Sequence, residues 1–366
     1  MIQQRIYIVA GENSGDYHAS FVAREFLRRN PGADVRGFGG FKMREAGTYI
    51  VSFYQEMAVM GFKETLAKLP TILDKTYMIK LDLKKYKPHV IIFVDFSGFN
   101  MKIAKWAQRL DTKLTYYIPP KAWAWNQSRA KKLAKWMDHV FTIFPFEETF
   151  FRSYGVKATY VGNPTKYYID QYNRLDQVIK RRAIALLPGS RQQEIEKNMP
   201  IMNELAERMP EFTFFLATTD DFSEGFYHRQ ITAHNIVMQT SSTFNILSKA
   251  HCAVVCSGTA TLETALLDVP QVVCYKANKI SFAIGKLLVK IKHISLVNIL
   301  LEREVVREFL QDDFNAVRLE EEVRRLMKPE VAEKMRSDYA ELAPMLGDQI
   351  PHKRIYDIIN PWLPQA

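Results

Sequence analysis

Short, nearly continuous apolar runs alternate along the first half of the chain with longer stretches in which apolar positions recur every three or four residues. The runs at 5–10, 89–95, 113–118 and 139–143 have the length and β-favouring content of strands buried on both faces. The stretches 16–29, 64–86, 100–110 and 128–136 read as helices with basic outer faces. The pattern then starts again. A strand at 183–187 runs into Pro188-Gly189-Ser190-Arg191 and a helix from 192 to 208, and further strands are expected at 212–218, 236–238, 252–255 and 271–275. Helical patterns at 315–327, 330–342 and 352–359 close the chain. Strand–helix alternation specifies largely parallel sheets covered by helices. Two such series predict an α/β protein of two Rossmann-like domains, 1–164 and 165–345. Gly162-Asn163-Pro164 ends the first, and 170–182 reads as a polar linker or bridging helix. The last stretch, 346–366, is expected as a helix that packs back on the first domain or meets a partner.

Composition narrows the setting. Of 366 residues, 47% are hydrophobic and 25% charged, an ordinary globular balance. No secretory leader is visible, and no uninterrupted apolar stretch approaches the roughly 20 residues of a membrane helix. The nearest, 280–301, carries Lys286, Lys290, Lys292 and His293. The odd, sparse set Cys252, Cys256 and Cys274 makes neither a disulfide framework nor a zinc site, so buried thiols in a reducing cytoplasm are expected. The eight histidines show no metal-ligand spacing, and no metal or other cofactor is expected. The net charge of +10 is uneven: residues 1–165 hold 25 Lys+Arg against 14 Asp+Glu, and the remainder 25 against 26. A basic half implies an anionic partner, whether nucleic acid, lipid or a phosphorylated substrate.

In open parallel sheets ligands bind beyond the carboxyl ends of the strands, and the distinctive motifs stand there. Gly11-Glu12-Asn13-Ser14-Gly15-Asp16 joins the first strand to the first helix. It is a capped turn, with Ser14 or Asp16 as the cap, or an anion site on the helix N-terminus. Pro188-Gly189-Ser190-Arg191, with Glu194 one turn on, lets a phosphate approach small residues under an arginine fork, unless Arg191 is merely solvated. Ser257-Gly258-Thr259-Ala260-Thr261-Leu262-Glu263 makes a second anion nest, or a helix start kept small for packing. Glu263 is placed to accept hydrogen bonds from a ribose. Asp95, at the end of a buried strand, is either a base with a raised pKa or a capping or salt-bridged carboxylate. Trp123-Ala124-Trp125 lines an acceptor pocket or packs at an edge. Met57–Phe62 (Met57, Met60 and Phe62 among them) and the lysine-bearing stretch beginning at Lys63 dock on anionic lipid or form a solvated face. Walker and nucleophile-elbow motifs are absent.

In order and over nearly the whole chain, these pieces resemble the lipid-A-disaccharide synthase family. They are A-G-E-N-S-G-D at 10–16, M-A-V-M-G-F at 57–62, V-D-F-S-G-F-N at 94–100, P-K-A-W-A-W at 120–125, P-F-E at 145–147, L-L-P-G-S-R at 186–191, S-G-T-A-T-L-E at 257–263 and S-L-V-N at 295–298. The resemblance implies an inverting glycosyltransferase of GT-B architecture, with two Rossmann-like domains facing a cleft. It implies transfer of 2,3-diacylglucosamine from its UDP derivative to the 6-hydroxyl of 2,3-diacylglucosamine 1-phosphate at an anionic inner-membrane surface, without nucleic acid. Homodimerisation is left open. By this resemblance Asp95 and Arg191 are catalytic. Gly189, Ser190, Arg191, Ser257, Gly258, Thr259, Ala260, Thr261, Glu263 and Asn298 take the donor, Asn298 by motif match alone. Gly11, Glu12, Ser14, Gly15 and Asp16 take the acceptor. Gly98 stands where the family often has a second Asp, which shifts weight to Asp95, and Asn13 where it usually has Ala. Two rival readings remain: an epimerase or hydrolase of a UDP-sugar on the same architecture, and a non-catalytic binder of nucleic acid or membrane through the basic half.

Overall fold

The computed structural model describes residues 3–57, 69–172, 183–219, 221–239, 242–276 and 292–364. The chain forms two compact units, Met1–Tyr167 with Gly347–Ala366, and Tyr168–Leu346.

The first unit is a sheet of seven parallel strands. In chain order they are β1 Arg5–Ala10, β2 Asp34–Gly39, β3 Tyr49–Phe53, β4 Val90–Val94, β5 Lys113–Tyr117, β6 His139–Thr142 and β7 Ala158–Tyr160, arranged in space as β3-β2-β1-β4-β5-β6-β7. Every residue of β4 is buried, as are all but the first of β1. This explains why both read as unbroken apolar runs: helices cover the two faces, so neither face selects polar residues. The helix Asn13–Arg29 packs Ala19, Val22, Ala23 and Phe26 onto one face of the sheet. The opposite face takes Ile79 and Leu83 from Leu69–Tyr86 and Phe99, Ile103 and Ala104 from Ser97–Ala107.

The second unit repeats the plan with six parallel strands: β8 Ala183–Leu187, β9 Thr213–Ala217, β10 Ile236–Gln239, β11 Cys252–Cys256, β12 Gln271–Tyr275 and β13 Glu308–Leu310, in the order β10-β9-β8-β11-β12-β13. Strands β2, β3, β7 and β13, at or next to the sheet edges, are absent from the sequence-based expectation. They are three to six residues long and mix polar with apolar positions, so their strand character comes from pairing with neighbours and not from a local pattern.

The C-terminal segment belongs to the first unit. Its helix Pro351–Ile359 sets Tyr356 against Phe26 (ring centroids 5.1 Å apart), while Arg29 lies 4.6 Å over the Tyr356 ring. Part of the expected linker, residues 173–182, lies outside the described residues. What precedes it is the helix Pro164–Gln171.

Candidate active site

Each sheet reverses its winding once, between β1 and β4 in the first unit and between β8 and β11 in the second. At such a switch point the two loops leave toward opposite faces and open a crevice at the strand ends. In the first unit the register pairs Ala10 with Val94, so Gly11-Glu12 and Asp95-Phe96 emerge side by side. Asp95 and Phe96 both adopt left-handed backbone, with φ of 47° and 41°. Such strain persists only where the surroundings over-determine it. Here the Asp95 amide donates to the Tyr117 carbonyl at 3.0 Å. The Asp95 carbonyl accepts from Asn100 Nδ2 at 2.9 Å and from the Tyr116 hydroxyl at 2.7 Å. Asn100 also donates to the Val94 carbonyl, which pins the end of β4. A side chain on Gly11 would stand 2.1 Å from the Phe96 ring, so the glycine is what lets the two loops close on each other.

The half-buried Asp95 carboxyl is pushed up to about 7, first by burial and then by the charge and hydrogen bond of Glu12; Lys121 and the Phe96 amide pull the other way. A carboxyl poised near neutrality at a strand end is equipped to take a proton from a hydroxyl.

The rest of the first loop departs from expectation. The helix begins at Asn13 with Glu12 as its N-cap residue and no side-chain cap, so neither Ser14 nor Asp16 caps it. Ser14 is exposed, and Gly15 is buried, where a side chain would lie in ordinary contact with the Val94 carbonyl at 3.5 Å. Asp16 is buried and engaged elsewhere. Its carboxylate accepts from the amides of Gly40 (2.7 Å), Lys42 (2.9 Å) and Met43 (3.2 Å), capping the short helix Phe41–Glu45. With three backbone donors on it, Asp16 holds the fold and has little left for an acceptor.

The W-A-W and P-F-E motifs prove to be one structure. Trp123 Nε1 donates to Glu147 Oε1 at 2.9 Å, and Glu147 Oε2 accepts from the amides of Ile143 and Phe144. Glu147 is therefore a buried brace, and burial raises its pKa against those donors. Asn100, Tyr116 and Arg129 were not singled out from sequence. Asn100 sat inside a motif already noted; nothing local marked the other two.

In the second unit Gly189 has φ 118°, and a side chain there would meet Glu194 at 2.7 Å. The loop curls over the start of the helix Gln192–Arg208, where Glu194 Oε2 accepts from the amides of Ser190 (3.2 Å) and Arg191 (3.3 Å) while its Oε1 receives Arg191 Nη1 at 3.0 Å. The protein's own carboxylate thus occupies the anion nest, and the Arg191 side chain, 76% exposed, leans on it. On the adjacent strand, Gly258 precedes the helix Thr259–Leu266, whose first amides have no carbonyl within the helix. Ser257 Oγ donates to the Ile294 carbonyl, and the buried Thr261 hydroxyl donates to the Gly258 carbonyl and accepts from the Leu296 amide, so these two hydroxyls brace the nest. Thr259 and Ala260 keep some exposure. The Glu263 carboxyl makes no hydrogen bond or ion pair among the described residues, and burial alone pushes it up to about 7.

Asn298 is a correction to the donor set. It is fully buried, with Oδ1 accepting from the amides of Val305 and Val306, and Nδ2 donating to the Val306 carbonyl and to Glu308 Oε1. Its side-chain hydrogen-bonding capacity is spent inside the protein. All three cysteines are free and buried.

The sequence model of the lipid-A-disaccharide synthetase family matches residues 6–353. This chain belongs to that family. Lipid-A-disaccharide synthase of Geobacter sulfurreducens is 34% identical over 97% of this chain and 96% of its own length, and that of Myxococcus xanthus is 34% identical over 94% of each. Among solved structures, a UDP-N-acetylglucosamine 2-epimerase of Listeria monocytogenes, itself putative by description, superposes with a TM-score of 0.68 at 11% identity over 100% of this chain and 99% of that one. The glycotransferase of kitacinnamycin gives 0.63 at 14% over the whole of both. At such identities the likeness is one of fold, the two-Rossmann GT-B plan.

The strand ends thus carry a carboxyl pushed up toward neutrality in one unit, and a helix start with an arginine beside it in the other. Of the residues expected at a membrane, Met57 ends a short 3-10 turn, Tyr54–Met57, while Met60, Phe62 and Lys63 lie outside the described residues.

Proposed function

We propose that this chain condenses UDP-2,3-diacylglucosamine with 2,3-diacylglucosamine 1-phosphate to the β-1,6-linked disaccharide 1-phosphate. It is a disaccharide-forming hexosyltransferase. The Asp95 carboxylate takes the proton of the acceptor 6-hydroxyl as that oxygen bonds to the anomeric carbon of the donor. The bond to the diphosphate breaks on the opposite face, and UDP leaves with the electron pair. Arg191, turning from Glu194 to the diphosphate, and the amides of Ser190 and of residues 258–260 stabilise the charge that develops there. This charge stabilisation takes the place of a metal ion. The observation that carries the reading is Asp95, a carboxyl held near neutrality at the switch point of a family member. Glu263 supports it as a ribose partner, being a desolvated carboxyl with no partner among the described residues.

Acylated substrates call for contact with a membrane. No helix among the described residues is long and apolar enough to cross one. The helix Leu69–Tyr86 instead presents Leu73, Tyr77 and Leu81, 59%, 64% and 48% exposed, as a ridge at four-residue spacing, with Lys80 and Lys84 beside it over the Trp106 ring. An exposed apolar ridge among lysines suits the headgroup boundary of an anionic bilayer.

Release of UDP from the diacyl donor, with and without the monosaccharide 1-phosphate and in the presence of EDTA, tests the reaction. The proposal expects acceptor-dependent release with a disaccharide product. Release without acceptor would mean a hydrolase or epimerase, and loss of turnover in EDTA would overturn the metal-free mechanism.

A further inference from the structure

We infer that Arg129, assisted by Lys121, binds the phosphate monoester of the sugar acceptor, so that the first unit selects its acceptor by that charge. The inference rests on the reading of this unit as the acceptor side.

The loop that follows β5 is fixed along its length. Ile118 has φ 58°, a left-handed conformation that a β-branched residue adopts only under constraint, and Pro119 and Pro120 continue it. Ala122 and Ala124 are buried and Trp123 is tied to Glu147, so Lys121 and Trp125 are the residues turned outward. Arg129 stands in the first turn of the helix Ser128–Trp136. Its guanidinium lies 4.7 Å over the Trp125 ring, and its Nη1 donates to Ser97 Oγ at 3.2 Å. Ser97 is two residues beyond Asp95.

Four other arginines near this sheet are neutralised: Arg28 and Arg29 pair with Glu25, Arg36 with Asp82 and Arg152 with Glu148. Among the described residues Arg129 has no carboxylate partner, and neither has Lys121. A guanidinium has five N–H donors, and Ser97 engages one of them. The contact with the indole restrains the guanidinium and lowers the entropy cost of using the remainder. The planar fork matches two oxygens of a phosphate. Lys121 acts electrostatically on both Asp95 and Glu147, which places its charge over the same strand ends. The substrate geometry agrees. In a hexose 1-phosphate the phosphate is on C1 and the 6-hydroxyl on C6, the exocyclic carbon attached to C5; C1 and C5 flank the ring oxygen, so both groups lie toward one edge of the sugar. A hydroxyl delivered to Asp95 therefore brings the phosphate within the neighbourhood of Ser97.

Phosphate at this position has three conceivable sources, namely the acceptor, the donor diphosphate and a lipid headgroup, and kinetics separates them. Wild type, Arg129→Ala, Arg129→Lys and Lys121→Ala are compared with the acceptor 1-phosphate and with the same diacyl sugar lacking the phosphate. Donor KM and binding to phosphatidylglycerol vesicles are measured alongside. The wild type is expected to prefer the phosphorylated sugar. Arg129→Ala should raise the KM for it about ten- to a hundredfold, the usual size of a lost charge-assisted contact, and should erase most of the preference. Donor KM and vesicle binding should hold. Arg129→Lys, which keeps the charge without the fork, should fall between, and Lys121→Ala should show a smaller loss of the same kind. An unchanged preference in Arg129→Ala, or a rise confined to donor KM or to vesicle binding, overturns the inference while leaving the transferase reading in place. If the wild type makes no disaccharide from either sugar, the transferase reading itself is what fails, and the inference falls with it.

Discussion

At Asp95 the backbone and the side chain make separate demands. Its carbonyl and amide are locked by Asn100, Tyr116 and Tyr117, while burial and Glu12 make ionisation of its carboxyl costly. Asn at this position keeps the shape, tolerates the left-handed backbone and cannot take a proton. Asp95→Asn should lower the transfer rate by at least about a hundredfold, within the range of general-base losses, with donor KM little changed; near-normal turnover would remove Asp95 as the base. Wild-type kcat/KM should rise with pH through about 7 as the carboxyl ionises. The stability consequence has the opposite sign. Folded Asp95 keeps its proton up to about 7, whereas the unfolded carboxyl loses it near 3.8. Its contribution to stability is thus fully present below about 4 and lost as pH rises through about 7. The Tm advantage of Asp95→Asn over wild type should therefore grow from pH 4 to pH 7 and then level off, and a constant difference across that range would refute the assignment.

Among the elements, two helix starts divide capping from binding in contrasting ways. Asp16 caps Phe41–Glu45 from a neighbouring helix. Removing it leaves two buried amides and one part-buried amide short of a partner, and Asp16→Ala should cost about 3 kcal/mol in urea unfolding. A loss of activity with stability intact would instead make it a ligand residue. Glu194 is different, because its carboxylate caps Gln192–Arg208 from the place a phosphate would take. Glu194→Gln can still cap but no longer attracts Arg191 as an anion. It should bind UDP more tightly, by about three- to tenfold on the scale of helix-end charge effects, in a calorimetric titration. Weaker binding would show that Glu194 organises the nest and does not compete with the nucleotide.

For the whole molecule, the excess of positive charge in residues 1–165 over the remainder coincides with the unit that carries the Leu73–Tyr77–Leu81 ridge. Replacing those three residues by Ser should reduce sedimentation with phosphatidylglycerol vesicles several-fold and make what remains more sensitive to salt, since the apolar share of the attachment is lost and the electrostatic share is screened. Activity on short-chain substrates dissolved without a membrane should persist. Unaltered vesicle binding would move the attachment elsewhere.

The central strands, the long helices and the loops worth searching were legible along the chain, because β1, β4, β5, β8 and β11 are buried on both faces and their apolar runs need no partner to be recognised. Asp95 and the two anion nests were legible for a related reason: a parallel sheet places whatever follows a buried strand at its ligand-binding end. Strands β2, β3, β7 and β13 were not, since a short mixed segment becomes a strand only when a neighbour offers its hydrogen bonds. Side-chain roles were the least visible. Asp16 and Asn298 are polar residues inside binding motifs, and only the fold supplies the distant amides that saturate them. Arg129 is one basic residue among many along the chain, and only the fold lays it on Trp125 and against Ser97. Local pattern determined which segments are buried and where their ends lie; tertiary structure decided which polar groups meet a partner within the protein and which remain for a substrate.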